Sequence, residues 1–367
     1  MANEKLIRVG ITQGDTNGIG YEVILKTLQN QQINELMTPV VYGSAKTASF
    51  HRKALELQPV SMNVIRNSSD IKDGVNNLVE VADGEVKVEL GVGSNIAGEA
   101  AFDALERAVA DLKQGHIDVL VTAPINKKNI QSDHFTFPGH TEYLEASIGD
   151  GDKALMILFC DALRVALVTT HVPVARVAEH ITKDAVLDKI MAFNRSLKYD
   201  FGIVRPRIAV LGLNPHAGDG GLLGKEEQES IIPAIEEATA KKVVVFGPYA
   251  ADGFFGNEQY KHFDGVLAMY HDQGLAPFKT IAMDSGVNFT AGLPYVRTSP
   301  DHGTGYDIAG KNEANEQSMR QAIYAAIDIF RNRINYDEMT KNPLRRMYFD
   351  KSGDKEVLDL TKVEDGD

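Results

Sequence analysis

Three histidines stand where apolar runs stop. "RVALVTTHVPV" reaches His171, "RIAVLGLNPHAGDGG" reaches His216, and "GVLAMYHDQGLAPFK" reaches His271. Neutral imidazole suits Zn, Co, Ni or Fe, and three protein ligands leave a coordination position open for substrate or water. The separations match no short metal motif, so capping or surface roles compete with ligation at each position. Two acids lie close to this pattern. Asp272 directly follows His271, and Asp252 sits in "YAADGFF". Either carboxylate can orient a ligating imidazole or carry a proton, while turn stabilisation is the plainer role, above all for Asp252 before Gly253.

A second set suits an anion. "FPGHTEYLEA" has the pattern of a helix start, where the His140-Thr141 pair places an imidazole, a hydroxyl and backbone N–H groups around a phosphate, or simply caps the helix. Lys279, Asn288 and Arg297 recur at intervals of nine residues beside apolar sequence. Unpaired charge is expensive there, so a carboxylate, a phosphate or a protein acid should accompany Lys279 and Arg297. "GDTNGIGYE", with Gly14, Gly18 and Gly20, departs from both GxGxxG and the Walker loop. Tight strand-to-helix packing accounts for its glycines.

These groups need a scaffold. "LIRVGITQ" and "TPVVYGS" read as strands, with helical patterns over Tyr21 to Gln29 and through "AKTASFHRKALEL". Ala97 to Lys113 is a helix with Ala101, Leu105, Val109 and Leu112 on one face, closed by Gly115 before the strand "IDVLVTAPI". "RIAVLGL", "EEQESIIPAIEEATA" and "KVVVFGP" continue the alternation, which predicts an α/β fold with a mostly parallel sheet. Ligands of such sheets gather beyond the carboxyl ends of the strands, where all three histidines are predicted to lie. "FKTIAMD" and "GVNFTAGLP" read as shorter strands. A helix follows, with Met319, Ile323, Ile327 and Phe330 on one side.

A chain of 367 residues exceeds what one core usually serves, so two domains are expected. The net charge of -13 argues against nonspecific binding to nucleic acid or an anionic membrane. Cys160, the single cysteine, lies in "ALMILFC" and reads as a small buried side chain, with no intramolecular disulfide available. No apolar run reaches the length of a membrane span, and a cytoplasmic protein is expected.

The most informative string is "PDHGTGYDIAGKNEAN", residues 300 to 315. It resembles the cofactor loop of the β-decarboxylating isocitrate and isopropylmalate dehydrogenases, close to HGSAPDIAGKxxAN, with His302, Gly303, Asp307, Ile308, Gly310, Lys311 and Asn312 on the pattern. "VTAPINKK", "FPGHTEYL", "NPHAGDGGLLGKEE", "GPYAADGFF" and "YHDQGLAPFK" together resemble one branch of that superfamily, the 4-hydroxythreonine-4-phosphate dehydrogenase family. The likeness runs from about Gly10 to about Arg331.

The resemblance implies two α/β/α domains with a cleft between them. Residues 1–125 with 285–345 would form the cofactor side, 126–284 the metal, substrate and dimerisation side, and 346–367 an acidic tail. It implies a divalent cation, Zn, Mg or Co, on His171, His216 and His271. His140, Thr141, Lys279, Asn288 and Arg297 would hold the phosphorylated substrate, and the 300–315 loop NAD or NADP. A homodimer with the active site at the subunit interface is implied as well. The expected reaction oxidises the β-hydroxyl of 4-phosphooxy-L-threonine and releases carbon dioxide, leaving 3-amino-2-oxopropyl phosphate for pyridoxal phosphate biosynthesis. Lys279 is the expected proton-transfer group, with Asp272 or Asp252 as alternates. D-threonate or D-erythronate 4-phosphate are rival substrates. A metal-dependent phosphoester hydrolase and a noncatalytic phosphometabolite-binding protein are readings from other classes. The first glycine loop departs from the family's usual GDPAGIGPE at Thr16, Asn17 and Tyr21, where a contact to ligand or partner is open to change.

Overall fold

The computed structural model describes residues 6–81 and 87–342, so the acidic tail expected at 346–367 lies outside the described residues. Among the described residues twelve strands form one sheet. In chain order they are β1 (Ile7–Thr12), β2 (Met37–Gly43), β3 (Asn63–Ile65), β4 (Asn77–Glu80), β5 (Val119–Thr122) and β6 (Leu155–Phe159). Then come β7 (Arg164–Leu167), β8 (Arg207–Leu211), β9 (Val244–Tyr249), β10 (Gly265–Ala268), β11 (Val287–Ala291) and β12 (Arg297–Pro300). Their spatial order is β3-β4-β2-β1-β5-β12-β11-β6-β7-β10-β8-β9.

The strands from β3 to β12 in that order run parallel, as do β7, β10, β8 and β9. In the middle, β11 is antiparallel to β12 and to β6, and β6 is antiparallel to β7. Strand direction therefore reverses at the centre. The strands of both flanks are buried on both faces where helices cover them, as the near-continuous apolar runs require; β5, Val-Leu-Val-Thr, is wholly buried.

Side chains alternate across the sheet, and the two faces differ. On one face a large apolar core runs from Val9 and Val121 through Ile157 and Phe289 to Leu267 and Val210, with a small separate cluster of Tyr21, Ala48 and Leu78 at its edge. On the other there are two cores. One gathers Val40, Leu105, Leu120 and Tyr143, the other Leu158, Val165, Leu211 and Phe278. Between them the central strands are left without an apolar cover.

Local signals set the helices that matter here. Ser94 caps helix Asn95–Lys113 by accepting from the Ala97 amide at 3.2 Å. Gly98 lets that helix meet the turn after β5, because a Cβ there would lie 1.9 Å from the Asn129 carbonyl oxygen. Helix Gln317–Thr340 packs on β12, β11, β5 and β1 and buries Met319, Ile323 and Ile327.

One element differs from the sequence reading. "FKTIAMD" is not strand-like, because helix His271–Ala282 runs through Pro277 and contains its first residues. Proline there removes one backbone donor. Gly274, Leu275, Phe278 and Ala282 are buried at helical spacing, and that burial decides the element. Among the described residues no helix is long and apolar enough to cross a membrane.

Candidate functional site

The gap between the two cores is a cleft of about 270 Å³. Its size suits a small metabolite rather than a whole dinucleotide. Asn288, Leu158 and Ser299 are register partners on adjacent central strands, and all three line it with Met156 and Arg297. The loops after β5, β7, β10 and β12 supply Lys127, His171, His271 and Asp301 to its walls.

Arg297 dominates one part of the cleft. It is only 3% exposed, yet among the described residues the guanidinium hydrogen-bonds only to hydroxyls. Nε and Nη2 donate to Thr122 Oγ1 at 3.1 and 2.5 Å, and Nη1 donates to Thr290 Oγ1 at 3.1 Å. Burial pushes its pKa down to about 9, opposed by the charge of Glu142, so it remains a cation at neutral pH. Nearby, His140 opens helix His140–Ile148 and lines the cleft with Thr141. Burial, then the charges of Arg297 and Lys127, hold the His140 imidazole well below its usual range. His140 Nε2 and Asn288 Oδ1 are buried polar atoms with no hydrogen-bond partner. Such groups cost free energy until a ligand satisfies them: an anion with several acceptor oxygens suits Arg297 and a ring N–H, while Asn288 Oδ1 calls for a donor such as a substrate hydroxyl or amine.

His171 and His271 face one another with ring centroids 6.4 Å apart. In the neutral ring, His271 Nδ1 donates to Asp272 Oδ1 at 2.7 Å, leaving the Nε2 lone pair free. His171 has the same tautomer. Its Nδ1 faces Glu142 Oε1 at 3.5 Å, and its Nε2 accepts from Lys127 Nζ at 3.4 Å. The bond to His171 is the main influence lowering the Glu142 pKa. One positive charge, the Lys127 ammonium, thus already stands at a lone pair a cation would take. His216 is exposed and does not line this cleft, and among the described residues no three His, Cys, Asp or Glu side chains close on a metal-sized site. Asp252 is also exposed and away from the cleft, while Asp272 reaches it only through His271.

His271, Leu275 and Lys279 follow at four-residue intervals on one helix face, and all three line the cleft. Opposite them is Asp301, which the sequence reading passed over. Burial raises its pKa to about 6 against the opposing charges of Lys279 and His271. The folded value lies above the ordinary 3.8, so the native state favours the protonated form and loses stability as pH rises through about 6. The Asp301→Asn variant is therefore expected to gain stability relative to wild type between pH 4 and 6, in paired denaturation curves, and to hold that gain above pH 6. A difference independent of pH would contradict this assignment.

His302 and Gly303 also line the cleft, and the loop then leaves it. His302 Nε2 is buried without a partner. Gly310 packs on Leu90, and Asn312 Nδ2 donates to the Leu55 carbonyl at 3.1 Å. Ile308 is half-buried against the core, while Asp307 and Lys311 are exposed. The first glycine loop clasps this segment. The Ile19 amide donates to the Thr304 carbonyl at 2.9 Å, and a Cβ on Gly18 would lie 2.5 Å from that oxygen. Tyr306 donates to buried Asp15 at 2.6 Å and accepts from Asn129 at 3.2 Å.

Two of the three departures in the first loop, Asn17 and Tyr21, are absorbed by side-chain contacts within the subunit, while Thr16 Oγ1 is buried without a partner among the described residues and only its backbone is engaged. Asn17 donates to Val92 O and accepts from the Glu89 amide, Tyr21 bridges Gln13 and Ser44, and the Thr16 carbonyl meets His51. Tyr306→Phe leaves the Asp15 carboxylate short of one donor and is expected to cost about 1–3 kcal/mol in denaturant unfolding. A variant as stable as wild type would show that the clasp does not depend on this bond.

Three comparisons bear on this arrangement. A family model described as pyridoxal phosphate biosynthetic protein PdxA matches residues 35–326. The chain belongs to the PdxA family. Among curated PdxA-like proteins, a 4-hydroxythreonine-4-phosphate dehydrogenase of Bacteroides thetaiotaomicron is 58% identical over 362 residues, 99% of each chain. A D-threonate 4-phosphate dehydrogenase of Cupriavidus necator is 39% identical, covering 86% of this chain and 95% of that relative. The crystal structure of a 4-hydroxythreonine-4-phosphate dehydrogenase from Klebsiella pneumoniae superposes with a TM-score of 0.77 at 34% identity, over 90% of this chain and 99% of the other. The PdxA motifs read from the sequence thus lie on a fold shared across nearly the whole chain. Lys127, Glu142 and Asp301 fall inside quoted motifs, but their part in the cleft follows from loops meeting over the central strands, which spacing does not reveal.

Proposed function

We propose that this protein catalyses the divalent-cation- and NAD(P)-dependent oxidation and β-decarboxylation of 4-phosphooxy-L-threonine to 3-amino-2-oxopropyl phosphate in pyridoxal phosphate biosynthesis. The observation that carries the reading is Arg297, a buried cation with no carboxylate partner among the described residues, beside the unsatisfied His140 Nε2. Its strongest external support is the 58% identity to a relative of that name.

Arg297, His140, Thr141 and Asn288 receive the phosphate. His171 and His271 fit a cation as imidazole donors whose other ring nitrogens face carboxylates, which fixes the tautomer. Such donors favour Zn or Co over Mg. The third ligand in this reading is His216 of a second copy in a homodimer. Exposed Val174, Leu222 and Leu223, close in sequence to His171 and His216, support an apolar contact there. A cation held there would supply Lewis acidity at the substrate hydroxyl, and NAD(P) would supply the hydride acceptor. Lys279 and Asp301, on facing walls, are placed to exchange the hydroxyl proton, with Asp272 holding His271 in orientation and Asp252 offered across the dimer. His302 and Gly303 begin the cofactor contact, which continues over Asp307, Ile308, Gly310, Lys311 and Asn312. The two cores on the cleft face support the division into residues 1–125 with 285–345 and 126–284. By packing, helix His140–Ile148 goes with the first of these.

A panel of 4-phosphooxy-L-threonine, D-threonate 4-phosphate and D-erythronate 4-phosphate, followed by NADH or NADPH absorbance, separates the substrates. The first is expected to lead in kcat/KM by about tenfold or more. A lead for either hydroxy acid would move the protein to the other branch, and phosphate release without cofactor would make it a hydrolase.

A further inference from the structure

The turn after β5, "PINKKN", carries a lysine for which the phosphate and cation contacts above leave no task. Lys127 lines the cleft, and its Nζ approaches His171 Nε2 at 3.4 Å. Among the described residues no carboxylate lies within ion-pair distance of it. The turn fixes its backbone, while the side chain itself is exposed at the mouth of the cleft. Asn126 Oδ1 accepts from the Lys128 and Asn129 amides at 2.9 and 3.1 Å, and Gln131 Nε2 donates to the Lys127 carbonyl at 3.1 Å. The contact of Gly98 with the Asn129 carbonyl anchors the same turn to helix Asn95–Lys113.

Charge makes the point sharper. The whole chain carries -13, yet Lys127, Lys279 and Arg297 line one cleft against only Glu142 and Asp301 as acids. Glu142 is already engaged by His171. A phosphorylated hydroxy acid has two anionic ends, and Arg297 with His140 and Asn288 accounts for one of them. The carboxylate is bonded close to the carbon bearing the hydroxyl, so it must sit near the imidazole pair, and Lys127 is the unpaired cation there.

We propose that Lys127 is a substrate-binding residue that holds the carboxylate end of the phosphorylated hydroxy acid beside His171 and His271. This rests on the proposed function for the identity of the ligand. It does not rest on it for the presence of an unneutralised cation in the cleft. A lysine ammonium is a point charge with rotatable donors, suited to a carboxylate that must later leave as carbon dioxide, whereas a guanidinium fork grips it in fixed geometry.

The test compares wild type with Lys127→Met and Lys127→Arg. In Lys127→Met the KM for 4-phosphooxy-L-threonine is expected to rise about tenfold or more, with the KM for NAD within about twofold of wild type, and Lys127→Arg recovers most of the loss. Calorimetry supplies a readout that needs no turnover: malonate, a carboxylate probe, binds Lys127→Met at least about tenfold more weakly, while inorganic phosphate binds it as it binds wild type. An unchanged KM and malonate affinity would overturn the proposal. So would a parallel loss of phosphate affinity, which would move Lys127 to the other end of the substrate. Wild type that binds malonate but turns over none of the phosphorylated acids would sink the proposed function and leave the Lys127 assignment to the calorimetric arm.

Discussion

Replacing Arg297 by Met is expected to abolish phosphate recognition while leaving the ligand-free protein as stable as wild type, or more so. The two effects have one cause. The guanidinium is buried against Thr122 and Thr290 with no carboxylate within ion-pair distance among the described residues, and the more distant charge of Glu142 offsets its desolvation cost only in part. Truncating a buried charge contact costs about 2–5 kcal/mol of binding, or roughly 30- to 4,000-fold in KM or phosphate affinity. Removing the charge also removes the desolvation cost, less the hydrogen bonds to two threonine hydroxyls at about 1 kcal/mol each. Phosphate should therefore raise the melting temperature of wild type and not that of the variant. Arg297→Lys should restore only part of the affinity, because the fork that spans Thr122 and Thr290 is lost. A Met variant that unfolds yet still binds phosphate would show Arg297 to be a structural residue.

Mixing His171→Ala with His216→Ala is expected to restore activity that neither variant has alone. Within one subunit His171 and His271 share the cleft and His216 does not. If a second copy supplies His216, a mixed dimer has one site lacking both imidazoles and one site intact. Random reassortment of equal amounts makes about half the dimers mixed, so about a quarter of wild-type activity returns. Ligands drawn from one subunit give no recovery at any ratio. His171→Ala alone is expected to lower kcat/KM by about a thousandfold or more, since a divalent ion contributes several kcal/mol to charge stabilisation.

The strand-end histidines were legible as a set because each ends an apolar run, and β7, β10 and β8 do lie side by side. Which of them meet was not, and one subunit brings only His171 and His271 together. Lys279, Asn288 and Arg297 were legible as charges and amides beside apolar sequence. That Arg297 would be left without an acid depends on register, which sets it opposite Leu120 and next to Thr122, and no local pattern encodes that. The reversal of strand direction at the centre was equally hidden, since alternating strands and helices imply parallel order and say nothing of β6 and β11. "FKTIAMD" is too short to show its period alone, and its helical burial emerges only with Gly274 and Leu275 before it. Tyr306 occupies a position where the superfamily pattern has proline, and its partner Asp15 lies 291 residues away.

The most direct test of the whole account is to supply 4-phosphooxy-L-threonine labelled at its carboxylate and to count reduced cofactor and released carbon dioxide together, before and after chelation. Equal yields, lost together on chelation and regained together when a divalent ion is returned, are the predicted result. Cofactor reduction that survives complete chelation, or inorganic phosphate released with no cofactor present, would contradict it.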